Sequence, residues 1–147
     1  MDPVTVTVKK LKESAQLPRR GSEEAAGADL CACLETDLTV APGETVLIPT
    51  GFSMALPRGT VGLIYARSGL ALREGLAPAN KVGVVDSDYR GEVMVALHNH
   101  SSEPRIVTDG ERVAQLVITP YLPGVFIEGE PQETKRGAGG FGSTGKI

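Results

Sequence analysis

Residues 38–66 have the sequence LTVAPGETVLIPTGFSMALPRGTVGLIYA, and this stretch decides which fold class the chain is expected to adopt. Short apolar segments alternate in it with residues that favour turns. The apolar segments are residues 38–40, 46–49, 51–56 and 61–66. Pro and Gly punctuate the chain between them, most clearly in Pro42-Gly43 and in Pro57-Arg58-Gly59, where tight turns are expected. Many short strands at close, even spacing predict an all-β barrel or sandwich.

The same spacing extends to both sides of this stretch. Further strands are predicted at residues 4–8, 93–97, 112–118 and 125–127, the first two from strict alternation of apolar residues. One short helix of about two turns is predicted between Ser68, a favourable N-cap, and Gly75, which can close a helix in the left-handed conformation. The chain is therefore expected to be almost entirely β.

Composition narrows the class of protein. A length of 147 residues predicts one domain, and 41% hydrophobic with 22% charged residues is typical of a globular chain. The net charge of −3 argues against an electrostatic nucleic-acid binder. Neither a signal peptide nor an apolar run of membrane-spanning length is present, so no membrane partner is expected. With only Cys31 and Cys33, a disulfide framework is excluded and a reduced, cytoplasmic protein is expected.

The last segment of the chain differs in character from the rest. We expect a β-domain over residues 1–128 and a mobile, Gly-rich arm over residues 129–147. Five glycines fall within residues 137–145, and exposed backbone N–H groups together with Arg136 favour binding of phosphate oxygens. The alternative is a flexible linker. A linker needs neither Arg136 nor an aromatic residue such as Phe141, so phosphate binding is favoured.

Three shorter segments contain candidate functional residues. Residues 83–93 predict a β-hairpin with Asp86 and Asp88 in its turn, although aspartate is common in turns without any further role. Asp29, between small and apolar residues, is a weak candidate by itself. Residues 67–69 (Arg-Ser-Gly) stand where the predicted helix begins, a position that favours anions, but a plain helix cap is equally compatible.

Two further pairs are interpreted as structural. His98 and His100 share one face of a predicted strand, but two histidines supply only half of a metal site. Cys31 and Cys33 are interpreted as small strand residues rather than redox partners.

Taken together, these segments resemble the trimeric deoxyuridine triphosphatase (dUTP pyrophosphatase) family. Five motifs appear in the order of that family, and they are residues 26–32, 66–70, 83–93, 110–116 and 136–145. The third and fifth motifs are highly specific. The departures are small: Val85 stands where the family often has Ile, and Glu111 stands where Asp is common.

The resemblance implies a jelly-roll-like β-barrel that assembles as a homotrimer with three active sites. Each site is expected to draw residues from all three subunits, with the C-terminal arm closing over bound nucleotide. The implied reaction is hydrolysis of dUTP to dUMP and pyrophosphate, which keeps uracil out of DNA and supplies dUMP for thymidylate synthesis.

The resemblance also implies roles for individual residues. Asp86 is expected to be the general base that activates water for attack on the α-phosphorus. Tyr89 is expected to lie against the deoxyribose and to leave no space for a 2′-hydroxyl. Asn80 and the backbone of Gly83 are expected to bind uracil, and Phe141 is expected to stack on the base.

The remaining implied residues concern the triphosphate. Its expected ligands are Arg67, Ser68, Gly69, Gln115, Arg136, Gly142, Ser143 and Thr144. Arg136 is expected on the γ-phosphate, while Arg67 has a structural alternative, pairing with a neighbouring acid. Asp29 is expected to hold Mg²⁺ through water. The metal and the arginine would neutralise charge on the departing pyrophosphate.

Three other functions remain open at this stage. A dCTP deaminase-like enzyme shares the fold, but Tyr89 and Phe141 argue against it. A non-catalytic, nucleotide-sequestering trimer would not need Asp86. A plain structural β-domain with a linker leaves Arg136 and Phe141 unexplained.

Overall fold

The structure, a computed structural model, describes residues 3–145 and consists within them of eleven strands and one short helix. The strands are β1 (Thr7–Lys10), β2 (Arg19–Arg20), β3 (Ala28–Cys31), β4 (Leu38–Val40), β5 (Thr45–Ala55), β6 (Thr60–Tyr65), β7 (Leu76–Pro78), β8 (Gly83–Val85), β9 (Glu92–Asn99), β10 (Arg105–Val107) and β11 (Arg112–Pro120). The helix α1 (Ser68–Glu74) lies between β6 and β7. No helix in this range is long and apolar enough to cross a membrane.

The strands form three antiparallel sheets. One sheet has the order β1-β5-β9-β7, the second has the order β2-β3-β11-β6-β8, and β4 pairs with β10 in a separate ribbon. The two larger sheets contribute side chains to one shared core. The all-β expectation is confirmed, and the arrangement is consistent with a jelly-roll-like fold of two facing sheets.

The core is aliphatic with a single buried phenylalanine. Phe52, Ile48 and Leu97 from the first sheet and Leu30 and Val113 from the second are all 0% exposed. Burying such side chains gives the main favourable contribution to folding, about 1.5–3 kcal/mol each. The predicted alternation in β9 is confirmed, since every second residue of its apolar run is buried.

The structure corrects the predicted division between residues 46–49 and 51–56. They form one strand, β5, whose register with β9 shifts between Pro49 and Ser53. Gly51 has φ 74° at this irregularity, and its N–H donates to Glu92 Oε1 over 2.8 Å. The turn residues therefore produce a bulge inside a continuing strand, because the displaced backbone groups find other partners.

The predicted hairpin of residues 83–93 is wrong. β8 pairs with β6, whereas β9 pairs with β5 and β7 in the other sheet. Residues 86–91 therefore connect the two sheets instead of turning a chain back on itself. Local alternation could not show this, because each strand finds a better-matched partner far away in sequence.

The short helix has the predicted length and C-terminus but a different N-cap. Gly75 adopts φ 68° and donates its N–H to Ala71 O over 3.1 Å, as expected for a left-handed C-cap. The N-cap residue is Arg67, without a side-chain capping bond, and Ser68 is the first helical residue. The hydroxyl of Ser68 therefore does not cap the helix.

Both ends of the chain also differ from the predicted strands. The first strand begins at Thr7 rather than at Val4, and Val4 is 52% exposed. Residues 125–127 form no strand, and their side chains are 88–97% exposed. The apolar residues 125–127 satisfy a strand pattern, yet none of the sheet pairings of the described residues includes them.

Candidate active site

Four of the predicted site residues lie around one cavity of about 350 Å³. Its lining includes Asn80, Gly83, Asp86 and Tyr89, together with apolar side chains of β5, β6 and β9. Asn80 belongs to the turn between β7 and β8, and Asp86 and Tyr89 belong to the connection between β8 and β9. Neighbouring strands of the fold thus bring residues from two separate turns to a single cavity.

The backbone around Asn80 is held in a fixed conformation. Ala79 donates its N–H to Ala96 O of β9 over 2.7 Å, and Lys81, with φ 65°, donates to Pro78 O over 3.1 Å. A Cβ on Gly83 would lie 3.3 Å from Asn80 Nδ2, so the missing side chain keeps the amide and the Gly83 backbone open together. An amide donor and a backbone edge side by side suit a planar heterocycle with its own donors and acceptors.

Asp86 stands at the junction of two cavities. It lines the 350 Å³ cavity and also a larger one of about 900 Å³. The residue is exposed, and Asp88 lines only the larger cavity. A carboxylate between two open spaces can contact a ligand on one side and water on the other, which is the placement a general base requires.

Tyr89 forms one wall of the smaller cavity. Its hydroxyl donates to Glu92 O over 2.9 Å, and its backbone N–H donates to Asp86 O over 3.2 Å. One hydrogen bond therefore holds the hydroxyl of Tyr89, and another holds its backbone beside Asp86. Sequence reasoning did not identify Glu92, because its contribution to this contact is a backbone carbonyl.

A second group of predicted residues gathers around Asp29. Arg67 Nε lies 2.9 Å from Asp29 Oδ1, and Arg112 Nη1 lies 3.4 Å from Asp29 Oδ2. The pairing of Arg67 with a neighbouring acid, expected as its structural alternative, is therefore present. Arg112 was not identified as a site residue, although it lies within the motif at residues 110–116.

Gln115 belongs to the same group. Its Nε2 donates to Ala66 O over 2.8 Å, directly before Arg67, Ser68 and Gly69. A Cβ on Gly27 would lie 3.0 Å from Gln115 Cδ, so this glycine provides the space that the amide occupies. Guanidinium, amide, hydroxyl and backbone donors are thus collected at the start of α1, and such donors bind phosphate oxygens.

The two groups do not meet within one chain. The cavities beside Arg67 and Asp29, about 320 and 410 Å³, share no lining residue with the cavity of Asn80, Gly83, Asp86 and Tyr89. Within one chain the two groups of candidate residues, called half-sites below, therefore line different cavities.

The arm supplies neither half-site in this structure. Every hydrogen bond found for residues 129–145 joins two residues of that segment, such as Arg136 Nε to Gly139 O at 2.8 Å. Phe141 is fully exposed, and Ser143 and Thr144 are exposed as well. The structure thus does not bring Arg136, Phe141, Gly142, Ser143 and Thr144 to the residues with which they were grouped.

The residues around Asp29 are compatible with a metal ion that binds through water but not with one that they coordinate directly. Both carboxylate oxygens already contact guanidinium groups, and no group of three or more His, Cys, Asp and Glu that could hold an ion exists among residues 3–145. Mg²⁺ usually keeps several waters and binds through substrate phosphates. The donor set therefore suits a cation that arrives on a polyphosphate and meets Asp29 through water, not one held directly by this chain.

The cysteine and histidine pairs lie in or just after strands β3 and β9. Cys31 and Cys33 are buried free thiols, and burial, reinforced by Asp29, raises the pKa of Cys31. The rings of His98 and His100 lie 4.4 Å apart in an edge-on contact, and His98 Nδ1 lies 2.8 Å from Thr45 Oγ1.

The fold and the two half-sites together define an all-β protein suited to binding a nucleotide. The sequence model of the dUTPase family matches residues 13–145. A deoxyuridine 5′-triphosphate nucleotidohydrolase of Desulfitobacterium hafniense is 49% identical over 97% of this chain and 95% of that protein. The protein of the same name from Syntrophotalea carbinolica is 44% identical over 99% of both chains. The chain belongs to the dUTPase family.

Solved structures agree with this assignment. The dUTPase of Staphylococcus bacteriophage 80alpha with dUPNHPP matches with a TM-score of 0.82 and 28% identity, over 96% of this chain and 98% of the phage chain. A mutant of the 80alpha phage enzyme matches with a TM-score of 0.83 and 27% identity, over 95% and 98% of the two chains.

Proposed function

We propose that this protein hydrolyses dUTP to dUMP and pyrophosphate at sites formed by three copies of the chain. The observation that carries the proposal is the single cavity lined by Asn80, Gly83, Asp86 and Tyr89. It combines a base-sized space, a free carboxylate and an aromatic wall. Family membership and the names of the relatives support the same reaction.

The cavity lined by Asn80, Gly83, Asp86 and Tyr89 binds the nucleoside. Asn80 and the Gly83 backbone bind the donor and acceptor edge of uracil, and cytosine is rejected because it would leave buried polar groups unpaired. Tyr89 lies against the deoxyribose and excludes a 2′-hydroxyl. Phe141 from an arm stacks on the base from the open side.

The chemical step is hydrolysis at the α-phosphorus. Asp86 accepts a proton from a water molecule while the oxygen of that water forms a bond to the α-phosphorus. The bond between the α-phosphorus and the oxygen that bridges the α- and β-phosphates breaks. Pyrophosphate leaves with the electron pair of that bond, and dUMP remains. Asp86 suits the role because it faces both the nucleotide cavity and the wider, water-accessible cavity.

The half-site around Asp29 binds the triphosphate. The residues that face the phosphate oxygens are Arg67, Ser68, Gly69 and Gln115, joined by Arg136, Gly142, Ser143 and Thr144 of an arm. Asp29 would hold Mg²⁺ through water, and the ion would supply positive charge that offsets the charge of the triphosphate. Catalysis depends mainly on positioning and electrostatics.

The separation of the two half-sites supports an assembly in which copies of the chain share sites, and the homotrimer is the assembly that the family resemblance implies. In one chain, the nucleoside cavity and the phosphate-binding residues lie in different cavities, and the arm touches neither. One subunit therefore supplies Asp86 and Tyr89, a second supplies Ser68 and Gln115, and an arm closes over both. The buried free thiols of the chain suit the cytoplasm.

The experiment that tests the function is pyrophosphate release from dUTP, dCTP, dTTP and UTP, each with and without Mg²⁺. We expect selective, Mg²⁺-stimulated turnover of dUTP. Binding of dUTP without release would contradict the proposal and leave a nucleotide-sequestering protein. Release of ammonia from dCTP would instead identify a deaminase.

A further inference from the structure

Gly91 lies against the ring of Tyr89. A Cβ added to Gly91 would lie 2.6 Å from Tyr89 Cζ, a distance that real Cβ atoms essentially never show, and 3.0 Å from Cε2, which is a tight contact. Gly91 is not among the residues with positive φ found in the described part of the chain. The glycine is therefore needed at this position for space, and an alanine could adopt its backbone conformation.

The ring of Tyr89 is also fixed from its far end. Its hydroxyl donates to Glu92 O over 2.9 Å, and the carboxylate of Glu92 accepts the N–H of Gly51 over 2.8 Å. Gly51 lies in the bulge of β5, where a Cβ would lie 2.7 Å from Cys33 Sγ. The hydroxyl of Tyr89 is thus tied through one residue to a tightly packed part of the sheet.

We propose that Gly91 is a positioning residue that sets the sugar specificity of the enzyme. By leaving space for the ring, it lets Tyr89 bond to Glu92 O and stand as the wall of the nucleoside cavity. A side chain at position 91 displaces the ring and breaks that hydrogen bond. This inference rests on the proposed function, because the wall matters only if a deoxyribonucleotide binds there.

The test compares Gly91→Ala with the wild-type protein by kcat/KM for dUTP, UTP and dCTP. We expect the preference for dUTP over UTP to fall about tenfold or more, since a displaced ring no longer excludes the 2′-hydroxyl. The preference for dUTP over dCTP should stay within about threefold, since Asn80 and Gly83 discriminate the base. A general structural defect would reduce turnover of all substrates together.

The matched control is Gly21→Ala, because a Cβ at Gly21 has no atom within 4 Å and Gly21 also lacks a positive φ. The preference of Gly21→Ala for dUTP over UTP, measured as the ratio of kcat/KM, should equal that of the wild type. An unchanged preference in Gly91→Ala, or the same loss in Gly21→Ala, would overturn the inference.

If Gly91→Ala does not fold, a second variant tests whether the position of the Tyr89 ring sets the preference for dUTP over UTP. Tyr89→Phe keeps the ring and removes the bond to Glu92 O, and we expect a smaller but measurable loss of the preference for dUTP over UTP. Full preference in Tyr89→Phe would then overturn the inference. If the wild-type protein releases no pyrophosphate from dUTP, the proposed function itself is wrong, and this inference falls with it.

Discussion

One side chain of each half-site is held by a backbone carbonyl. Gln115 Nε2 donates to Ala66 O, and Tyr89 Oη donates to Glu92 O. Backbone carbonyls in strands and tight turns move little, so these bonds orient the side chains before any ligand arrives. Such preorganisation reduces the entropy that must be lost when the reacting groups are brought together.

Asp86→Asn tests the general base. The amide keeps the size of the carboxylate but cannot accept the proton of the attacking water, so we expect kcat to fall by about 10²–10⁴-fold. Binding of a non-hydrolysable dUTP analogue should be nearly unchanged, as measured by calorimetry.

The control for that substitution is Asp88→Asn. Asp88 lines only the larger cavity, so turnover should remain close to that of the wild type. A fully active Asp86→Asn protein would show that another group removes the proton.

The buried thiol of Cys31 predicts a pH dependence of stability. Burial disfavours the thiolate and raises the pKa of Cys31 above its usual value of 9.0. Above the pKa of the unfolded chain, the unfolded state loses this proton while the folded state keeps it. The contribution of Cys31 to the free energy of unfolding is therefore present below that pH and is lost as the pH rises towards the folded pKa.

Urea unfolding of the wild type and of Cys31→Ala between about pH 7 and 10.5, with a reductant present, measures this effect. We expect the free energy of unfolding to fall more steeply with pH in the wild type. Equal slopes in the two proteins would mean that Cys31 titrates alike in both states.

At the scale of elements, the connection between β8 and β9 carries the candidate general base and the aromatic wall. The connection at residues 86–91 crosses from one sheet to the other and places Asp86 and Tyr89 at the same cavity. The arm at residues 129–145 has only turns and internal hydrogen bonds. Loops on a rigid sheet scaffold commonly provide the functional groups of a protein.

Deletion of residues 136–147 should separate folding from activity. Because the described part of this segment buries no side chain in the core, the shortened chain should unfold at the same urea concentration as the wild type. Turnover of dUTP should fall by at least about tenfold, since the arm residues Arg136 and Phe141 no longer reach the nucleotide.

Phe141→Ala removes only the ring from the arm. It should weaken binding of a dUTP analogue by about 1–3 kcal/mol, the usual value of one base-stacking contact. An affinity equal to that of the wild type would show that the ring does not stack on the base. For the deletion of residues 136–147, a lower stability than that of the wild type would show that the arm supports the β-domain.

At the scale of the whole molecule, the proposed function requires residues that one chain keeps apart. Asn80 and Asp86 line a different cavity from Asp29, and the exposed apolar residues 125–127 belong to no sheet of the described chain. Association of identical chains can join such half-sites, as closed symmetric assemblies do in general.

Mixed assemblies test whether the sites are shared. Asp86→Asn chains keep the arm, and chains lacking residues 136–147 keep Asp86. If one subunit supplies the carboxylate and another supplies the arm, co-refolded mixtures should regain part of the wild-type turnover, although each variant alone is nearly inactive. Sedimentation should show trimers in all three samples.

The control for the mixture is an equal blend of the two variants without refolding, in which subunits have not exchanged. It should stay as inactive as the separate proteins. Refolded trimers without recovered turnover would indicate that each arm closes over the site of its own subunit.

Sequence reasoning was most successful where the controlling interaction is local. The short helix ends at Gly75 as predicted, because a left-handed glycine stops a helix regardless of distant contacts. It failed at residues 83–93, where β8 and β9 join different sheets. It also separated residues 46–49 from 51–56, because it could not foresee that Glu92 would satisfy the N–H of Gly51.

The all-β class and the family motifs could be predicted from the residues alone, because alternation, turn residues and short motifs act over a few residues. Which groups meet depends on packing between segments that are distant along the chain. Asp29 pairs with Arg67 and Arg112, which lie 38 and 83 residues away along the chain. Such contacts depend on the packing of β3, β11 and the start of α1, and on the register of their sheet. The same packing keeps the two half-sites apart in a single chain, because strand order is decided by the whole core.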